Sequence, residues 1–539
     1  MNLSYLSQIA ADASVEFLTE SQARLRSDST RIAGIFFDHR KLVPGSIFVA
    51  VRGGQNDGHR YLKDAVQAGA NVLVVEADDG ARAHDLFRRE LGVEQLDPRV
   101  AYAFSKSTRG ALAGLAAAFS GFPSRELFTV AVTGTNGKTT STHMIEHVLK
   151  SLGLATGVVG TIDHHLGEKV WPTAMTTPDP VEFQGRLREF LDFGAKAVAL
   201  EASSHALDQR RLDAVDFDFA AFTNLTRDHL DYHQAMEAYF LAKYRLFGSL
   251  LVASSKAKKT ALFHLDDSWC AKAYESLKNE KDLGKRLAGT RLDILGFGTA
   301  PTSDLRYEIL DQGFWGVRFK LMHAGGSRDV KIQMPGKHNV QNAILAYAAG
   351  VAAGCQPEDV VRVLGELKGV AGRLERVSNT RDLNVFVDYA HTDDALGSIL
   401  AMLDGIRRDM RSGSSASGLA KIITVFGCGG DRDRGKRPLM MRAALDGSDE
   451  VILTSDNPRT EDPEKILDDA MAAVSTAEHV KVRRYVDRRT AIAKAIELAR
   501  PGDVVLIAGK GHETTQTIGT VKHPFSDAQV AEEIMEGKV

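Results

Sequence analysis

Seven residues, Gly134-Thr135-Asn136-Gly137-Lys138-Thr139-Thr140, follow directly on the apolar run Phe128 to Thr133 and carry the chemistry of a triphosphate site. Glycine at 134 and 137 lets backbone N–H groups approach phosphate oxygens, Lys138 supplies a mobile cation, and Thr139 offers a hydroxyl to magnesium at a helix N-terminus. The usual P-loop spacing wants glycine at 132, where the chain has Val132, so the loop is a shorter variant. Taken alone it reads either as a phosphate cradle or as a plain strand-to-helix turn.

Other chemistry-bearing groups recur in the same kind of place. The apolar run Ala197 to Leu200 delivers Glu201, then Ala202-Ser203-Ser204-His205, and the run near Phe219 to Thr223 leads into Asn224 through His233. Carboxylate and imidazole near a triphosphate suit a divalent cation, and hard oxygen ligands favour magnesium. His229 and His233 are four apart, which also admits a zinc reading, although Leu230 stands where the helical zinc-protease motif needs glutamate. A capping or hydrogen-bonding role for these histidines stays open as well. Lys243 sits among aromatic residues in a helical stretch, Glu237 to Phe247, and by itself reads as a surface lysine laying its stem over apolar area. Asp456-Asn457-Pro458-Arg459 reads as a turn, or, at a strand end, as a guanidinium fork aimed at a carboxylate with Asn457 adding a neutral hydrogen bond.

The elements that must hold these groups are an alternation of strands and helices, which predicts α/β architecture with parallel sheets. Three domains are expected, residues 1–123, 124–370 and 371–539, with Phe122-Pro123-Ser124 as a linker and a second boundary near Gly369 to Gly372. The first is a small α/β domain with strands near Ser46 to Val51 and Asn71 to Glu76. The last shows apolar runs Val385 to Val387, Ile422 to Phe426, Val451 to Leu453 and Val504 to Ile507, each followed by glycine or polar residues, where open α/β sheets bind ligands. Arg411 to Gly418 reads as a mobile loop, and Ser254 to Lys259 and Lys278 to Arg286 as solvated surface.

Composition narrows the class. With 67 basic and 70 acidic residues the formal charge is -3, and no basic block suggests nucleic acid or a membrane surface. The weakly polar run Ala111 to Phe122 is too short to span a bilayer, and no signal-like amino terminus is seen, so a cytoplasmic protein without a membrane span is expected. Cys270, Cys355 and Cys428 form no metal-type spacing and are expected as buried reduced thiols.

Together these segments resemble the Mur ligase family of peptidoglycan synthesis, in its branch that uses meso-diaminopimelate. The resemblance runs from about Asp38 to Asp527, through Asp38-His39-Arg40, Pro44 to Ala50, the 134–140 loop, Thr176-Thr177-Pro178-Asp179, Glu201 to His205, Asn224 to His233, Gly372-Arg373-Leu374-Glu375, Asp388 to Thr392 and the strand ends of the last domain. It implies a central P-loop ATPase domain, a carboxy-terminal Rossmann-like domain, ATP and Mg2+ as cofactors, and a monomer. The implied reaction is ATP-dependent addition of meso-2,6-diaminopimelate to UDP-N-acetylmuramoyl-L-alanyl-D-glutamate through an acyl phosphate.

Residue by residue, the resemblance makes Lys138, Lys243 and His229 catalytic. It assigns Gly134, Thr135, Asn136, Gly137, Lys138, Thr139, Thr140, His264, Arg373 and Asp388 to ATP, with Thr139, Glu201, His229 and a carbamylated Lys243 holding metal. Lys243 lies fourteen residues after His229, in agreement with that pattern. Asp38, His39, Arg40, Thr176, Thr177, Ser204, Gln209 and Arg211 are assigned to the UDP-muramoyl-dipeptide, and Asp456, Asn457, Arg459, Gly509 and Glu513 to diaminopimelate. The amino acid's distal carboxylate would meet Arg459 and its distal ammonium Glu513. Lysine would leave Arg459 unpaired, at a cost of about 1–3 kcal/mol. The chain departs from the pattern at His39, His264, Asp393 and Ala202, where serine, asparagine, proline and valine are common, and Asp79 to Arg99 is extra length. A folylpolyglutamate-synthase-like ligase, a catalytically silent nucleotide-binding protein and a zinc hydrolase are the competing readings.

Overall fold

The computed structural model describes residues 2, 5–6, 13–19, 21–22, 31–54, 56–412 and 420–538. Contacts divide the chain into two compact units, residues 1–304 with 345–356, and residues 305–344 with 357–539.

In the first unit, parallel strands Ile35–Phe36, Ile47–Val49, Val72–Glu76 and Ala101–Ser105 form a small sheet, with Glu16–Phe17 antiparallel on its edge. Side-chain alternation sends Ile47, Val49, Val72 and Val74 to one core and Phe48, Leu73 and Val75 to another, so the sheet is covered on both faces. The extra segment begins as a helix, Gly80–Leu91, capped by Asp79 and burying Phe87 on this sheet.

The second sheet of this unit centres on Phe128–Thr133. Ala197–Glu201 and Phe219–Phe222 flank it in parallel, followed outward by Thr156–Val159 on one side and by Lys258–His264 and Arg291–Gly298 on the other. The short strands His164–Leu166 and Lys169–Trp171 extend it antiparallel beyond Thr156–Val159. In register, Glu201 lies beside Val132 and Phe222 beside Thr133, so three carboxyl ends meet at one edge. The expected linker at 122–124 is instead a packed turn: Pro123 and Ser124 are buried, and the Ser124 hydroxyl accepts from the Asp216 N–H at 3.0 Å.

The second unit holds antiparallel strands Leu305–Gly313, Gly316–His323 and Gly326–Ile332. It also holds a sheet ordered Glu375–Val377, Asn384–Asp388, Val504–Ala508, Ile422–Cys428, Glu450–Ser455 and Val482–Arg484, parallel apart from its first strand. All four apolar runs singled out in the sequence are strands here. Phe386, Phe426 and Leu506 face one core while Val385, Val425 and Val505 face the other, as expected of a doubly covered parallel sheet.

Helix Asp393–Ser412 takes in the first residues of the expected mobile loop, and residues 413–419 lie outside the described residues. Lys278 to Arg286 is largely exposed, as expected. Ser254 to Lys259 is not simply surface: Lys259 is fully buried, donating to the Val252 and Ser254 carbonyls at 2.9 Å each. Those strand-entry carbonyls need donors, and a lysine stem long enough to reach them outweighs the preference of the ammonium for water. Cys270 and Cys428 are buried and Cys355 is half-buried. Among the described residues no helix is long and apolar enough to cross a membrane.

Candidate active site

The loop after Phe128–Thr133 is held from both sides. Gly134 adopts φ +150°, and a Cβ there would stand 1.8 Å from the Thr223 hydroxyl, so only glycine fits. The Thr135 N–H donates to the Asn224 carbonyl and the Asn136 N–H to the Asn224 side chain, both at 2.9 Å. The Thr223 hydroxyl donates to the Asn136 carbonyl at 2.6 Å. Gly137, at φ +85°, opens helix Lys138–Ser151, placing Lys138, Thr139 and Thr140 in its first turn. The Lys138 ammonium folds back onto the Gly134 and Thr135 carbonyls at 2.9 and 2.8 Å. The cation therefore lies at the loop it would serve.

Lys243 is 1% exposed and donates to the same Gly134 carbonyl at 2.7 Å, with its ammonium 4.8 Å from the centre of the Tyr239 ring. The sequence reading of a surface lysine is overturned, because helix Met236–Arg245 turns this face inward. Burial, reinforced by the neighbouring Lys138 charge, pushes its pKa well below the ordinary lysine value. A neutral amine is what addition to carbon dioxide requires.

Glu201 is 1% exposed and held by neutral donors, the Thr161 N–H at 2.8 Å and the Thr161 hydroxyl at 3.0 Å. Among the described residues these dipoles are its side-chain partners, and a buried carboxylate so held suits a nearby cation, which is the observation favouring magnesium here. Thr161 was not singled out in the sequence, since its role depends on a strand end forty residues away. His229 caps helix Leu230–His233 at φ +52° and stays half-exposed. Burial, helped by the Lys138 charge, outweighs the opposing Asp228 and holds its pKa below the usual value, which favours the neutral ring.

His233 turns inward to the Ser204 hydroxyl at 3.0 Å. Neither histidine belongs to a cluster of three or more metal-type ligand atoms among the described residues, and the zinc-hydrolase reading loses its basis. His264 is buried, with Nδ1 2.9 Å from the Thr223 carbonyl and its ring stacked on Phe297. It braces the strand end behind the loop.

The residues assigned to the muramoyl-dipeptide converge in part. The Thr177 hydroxyl donates to the Glu201 carbonyl at 2.7 Å, and Arg211 donates to the Thr177 carbonyl at 2.6 Å and to Gln209 Oε1 at 2.7 Å. Thr176 meets Thr161, the partner of Glu201, at 3.1 Å. Asp38 and Arg40 instead pair with each other at 2.8 Å, and the Arg40 side-chain hydrogen bonds hold the Asp38 carboxyl down at about 2. His39 stacks on Tyr61, ring centres 4.2 Å apart.

In the second unit, a cavity of about 350 Å³ opens at the carboxyl ends of the sheet, lined by Asp456, Asn457, Arg459, Gly509 and Glu513 among others. All five residues assigned to the amino acid therefore line one space. Arg459, at φ +52°, is oriented by donation to the Gly430 carbonyl at 2.7 Å. Lys510, fully buried, donates to Glu513 at 2.8 Å, and Asn457 donates to the same carboxylate oxygen at 2.9 Å. Burial raises the Glu513 pKa, but these two bonds outweigh it and leave the group below its usual value. Lys510, which supports Glu513 from behind, was missed as a site residue, and so were Arg432, His391 and Lys436, which line the cavity themselves. Their position just past strand ends was the available signal.

Arg373 and Asp388 belong to this second unit. Asp388 accepts from the Leu374 and Ala390 N–H groups at 2.7 Å each, and burial raises its pKa to about 6 against the opposing Arg373 charge.

A glycine-bearing loop that opens a helix on one parallel sheet, and a charged cavity at the strand ends of another, suit an ATP-dependent ligase. Sequence comparison gives the family: residues 31–120 match "Mur ligase family, catalytic domain", 132–350 "Mur ligase middle domain" and 372–511 "Mur ligase, glutamate ligase domain". The UDP-N-acetylmuramoyl-L-alanyl-D-glutamate–2,6-diaminopimelate ligase of Geobacter metallireducens is 40% identical over 92% of this chain and 93% of its own. The protein of the same name from Solibacter usitatus is 38% identical over 94% of each. A solved structure of a ligase of that name superposes with TM-score 0.66 at 34% identity, covering 94% of this chain and 95% of that one. The chain belongs to the Mur ligase family of ATP-dependent, amide-forming enzymes.

Proposed function

We propose that this protein joins meso-2,6-diaminopimelate to UDP-N-acetylmuramoyl-L-alanyl-D-glutamate, with ATP converted to ADP and phosphate, in peptidoglycan precursor synthesis. Residues 1–123 hold the uridine nucleotide, 124–370 hold ATP, and 371–539 hold the incoming amino acid. A substrate carboxylate oxygen attacks the γ-phosphorus, releasing ADP and leaving an acyl phosphate. The diaminopimelate amine then adds to the acyl carbon, and the intermediate expels phosphate as the nitrogen loses a proton. Positioning and charge neutralisation are most of what these steps need from a protein.

Lys138 unfolds from the Gly134 and Thr135 carbonyls to meet the phosphoryl oxygens. Lys243, whose neutral form is favoured by burial, adds to carbon dioxide through Nζ and loses a proton, giving an anionic carbamate. Magnesium, when bound, neutralises the phosphate oxygens, and Thr139, Glu201, His229 and the Lys243 carbamate would hold it. We further place the enzyme in the cytoplasm, as a monomer.

The observation that carries the choice of amino acid is the convergence of Arg459, Asn457 and Glu513 on one cavity. Glu513 is already bonded to Lys510, so a distal ammonium joins an existing ionic group. The test is ATP-driven phosphate release with the nucleotide-linked dipeptide and a panel of amino acids. Release should require both substrates and favour meso-diaminopimelate over L-lysine by at least tenfold in kcat/KM, the equivalent of about 1.4 kcal/mol. Comparable values for the two amino acids would overturn the assignment.

A further inference from the structure

The helix that begins with Lys138 carries a second set of donor groups on the side facing the His164–Leu166 strand. His143 and Glu146 are three apart on helix Lys138–Ser151 and so share a face. His165 comes to them from the strand: its Nε2 lies 3.1 Å from Glu146 Oε2, and the same oxygen is 3.6 Å from His143 Nδ1. The ligand atoms of all three residues lie within 4.8 Å of one another, and the side chains are only 12–18% exposed. Two ligands on a tetrahedral zinc, each bonded at about 2.0–2.1 Å, stand roughly 3.3 Å apart, close to the two spacings measured from Glu146. The far nitrogen of His165, Nδ1, is 2.6 Å from Asp163 Oδ1. That carboxylate fixes the ring so that Nε2 points at Glu146 and His143, the arrangement by which proteins orient a metal-binding imidazole.

We propose that His143, Glu146 and His165, with Asp163 orienting His165, bind a divalent first-row transition metal ion, zinc in character, at a site separate from the catalytic magnesium. Two imidazoles and one carboxylate are borderline donors that favour zinc, cobalt or nickel over magnesium, with water completing a fourth position. The ion would tie the phosphate-loop helix to the segment beginning at Thr161, which holds Glu201. Its role is structural support of the ATP site.

The test uses the full chain, stripped with a chelator and kept in excess magnesium to compete at the catalytic site, with His229→Ala reporting any zinc taken up there. Zinc titrated by calorimetry should bind at one equivalent, and cobalt should give the visible ligand-field bands of a low-coordinate nitrogen and oxygen site. His143→Ala and the isosteric Glu146→Gln should each weaken zinc binding at least tenfold, while His229→Ala should bind zinc as the parent does. Asp163→Asn should keep the stoichiometry and lose roughly 10–100-fold in affinity. Circular dichroism confirms that each variant is folded. Absence of saturable zinc uptake by the parent chain, or uptake that survives Glu146→Gln in folded protein, would show that the cluster is only an ionic network joining helix and strand.

Discussion

Lys243 shows how far a side chain's meaning depends on where it is buried. In the sequence it is a lysine among aromatics. In the structure it is an ammonium without solvent, beside a second lysine, on one shared carbonyl. Its folded pKa lies below the unfolded one, so the fold favours the neutral form. The stability this provides is present above the unfolded value near 10.5 and is lost as pH falls through the lowered value. At neutral pH the site therefore works against the charged form. Lys243→Met should raise the thermal midpoint, with a gain in stability of order 1 kcal/mol, while abolishing turnover. Lys243→Ala should be equally inactive and partly rescued by short carboxylic acids. A Met variant that melts below the parent would contradict the cost of the buried charge, and an Ala variant active without additives would contradict the carbamate.

The turn that carries Arg459 depends on a neighbouring segment with no room to spare. A Cβ on Gly430 would lie 1.9 Å from the Pro458 carbonyl oxygen, and the Gly430 carbonyl is what orients the Arg459 guanidinium. Gly430→Ala must push the turn away from the cavity. Roughly a hundredfold loss in kcat/KM for diaminopimelate is expected, with ADP binding unchanged, because displacements of about 1 Å have effects of that size. Unaltered kinetics would mean that the turn can shift without consequence.

Arg488 anchors the same strand ends from behind. It pairs with Asp527 through two bonds of 2.7 Å and donates to the Ser455 and Ala508 carbonyls, with both charged partners fully buried. Arg488→Ala leaves an unpaired buried carboxylate and should destabilise the protein by about 3–5 kcal/mol in urea unfolding. A loss below 1 kcal/mol would show that the pair is dispensable.

The pH dependence of folding as a whole has a component with an unusual sign. Asp388 titrates near 6 when folded and near 3.8 when unfolded. A raised carboxyl contributes stability that is complete below about 3.8 and disappears as pH rises through 6. His164, fully buried and lowered to about 4 chiefly by that burial, contributes in the opposite direction across much of the same window. The Asp388 effect must therefore be read as a difference. Relative to Asp388→Asn, the parent protein should be more stable at pH 4.5 than at pH 7, and a pH-independent difference in urea midpoint would refute the assignment.

Strand ends and the motifs attached to them were legible from the chain alone. The phosphate loop, Glu201, Asp388 and the Asp456 to Arg459 turn each follow an apolar run, and those runs became the parallel strands expected of them. Such signals are local: an unbroken apolar run, a glycine, a polar residue just after.

What folding alone decided involves partners far apart in sequence. Thr161 reaches Glu201, Lys510 shares Glu513 with Asn457, Ser124 is packed where a linker was expected, and His165 is brought to His143 and Glu146. Register and helix facing set those encounters. Local periodicity states which residues lie on one face, whereas what that face meets depends on the order in which the strands assemble.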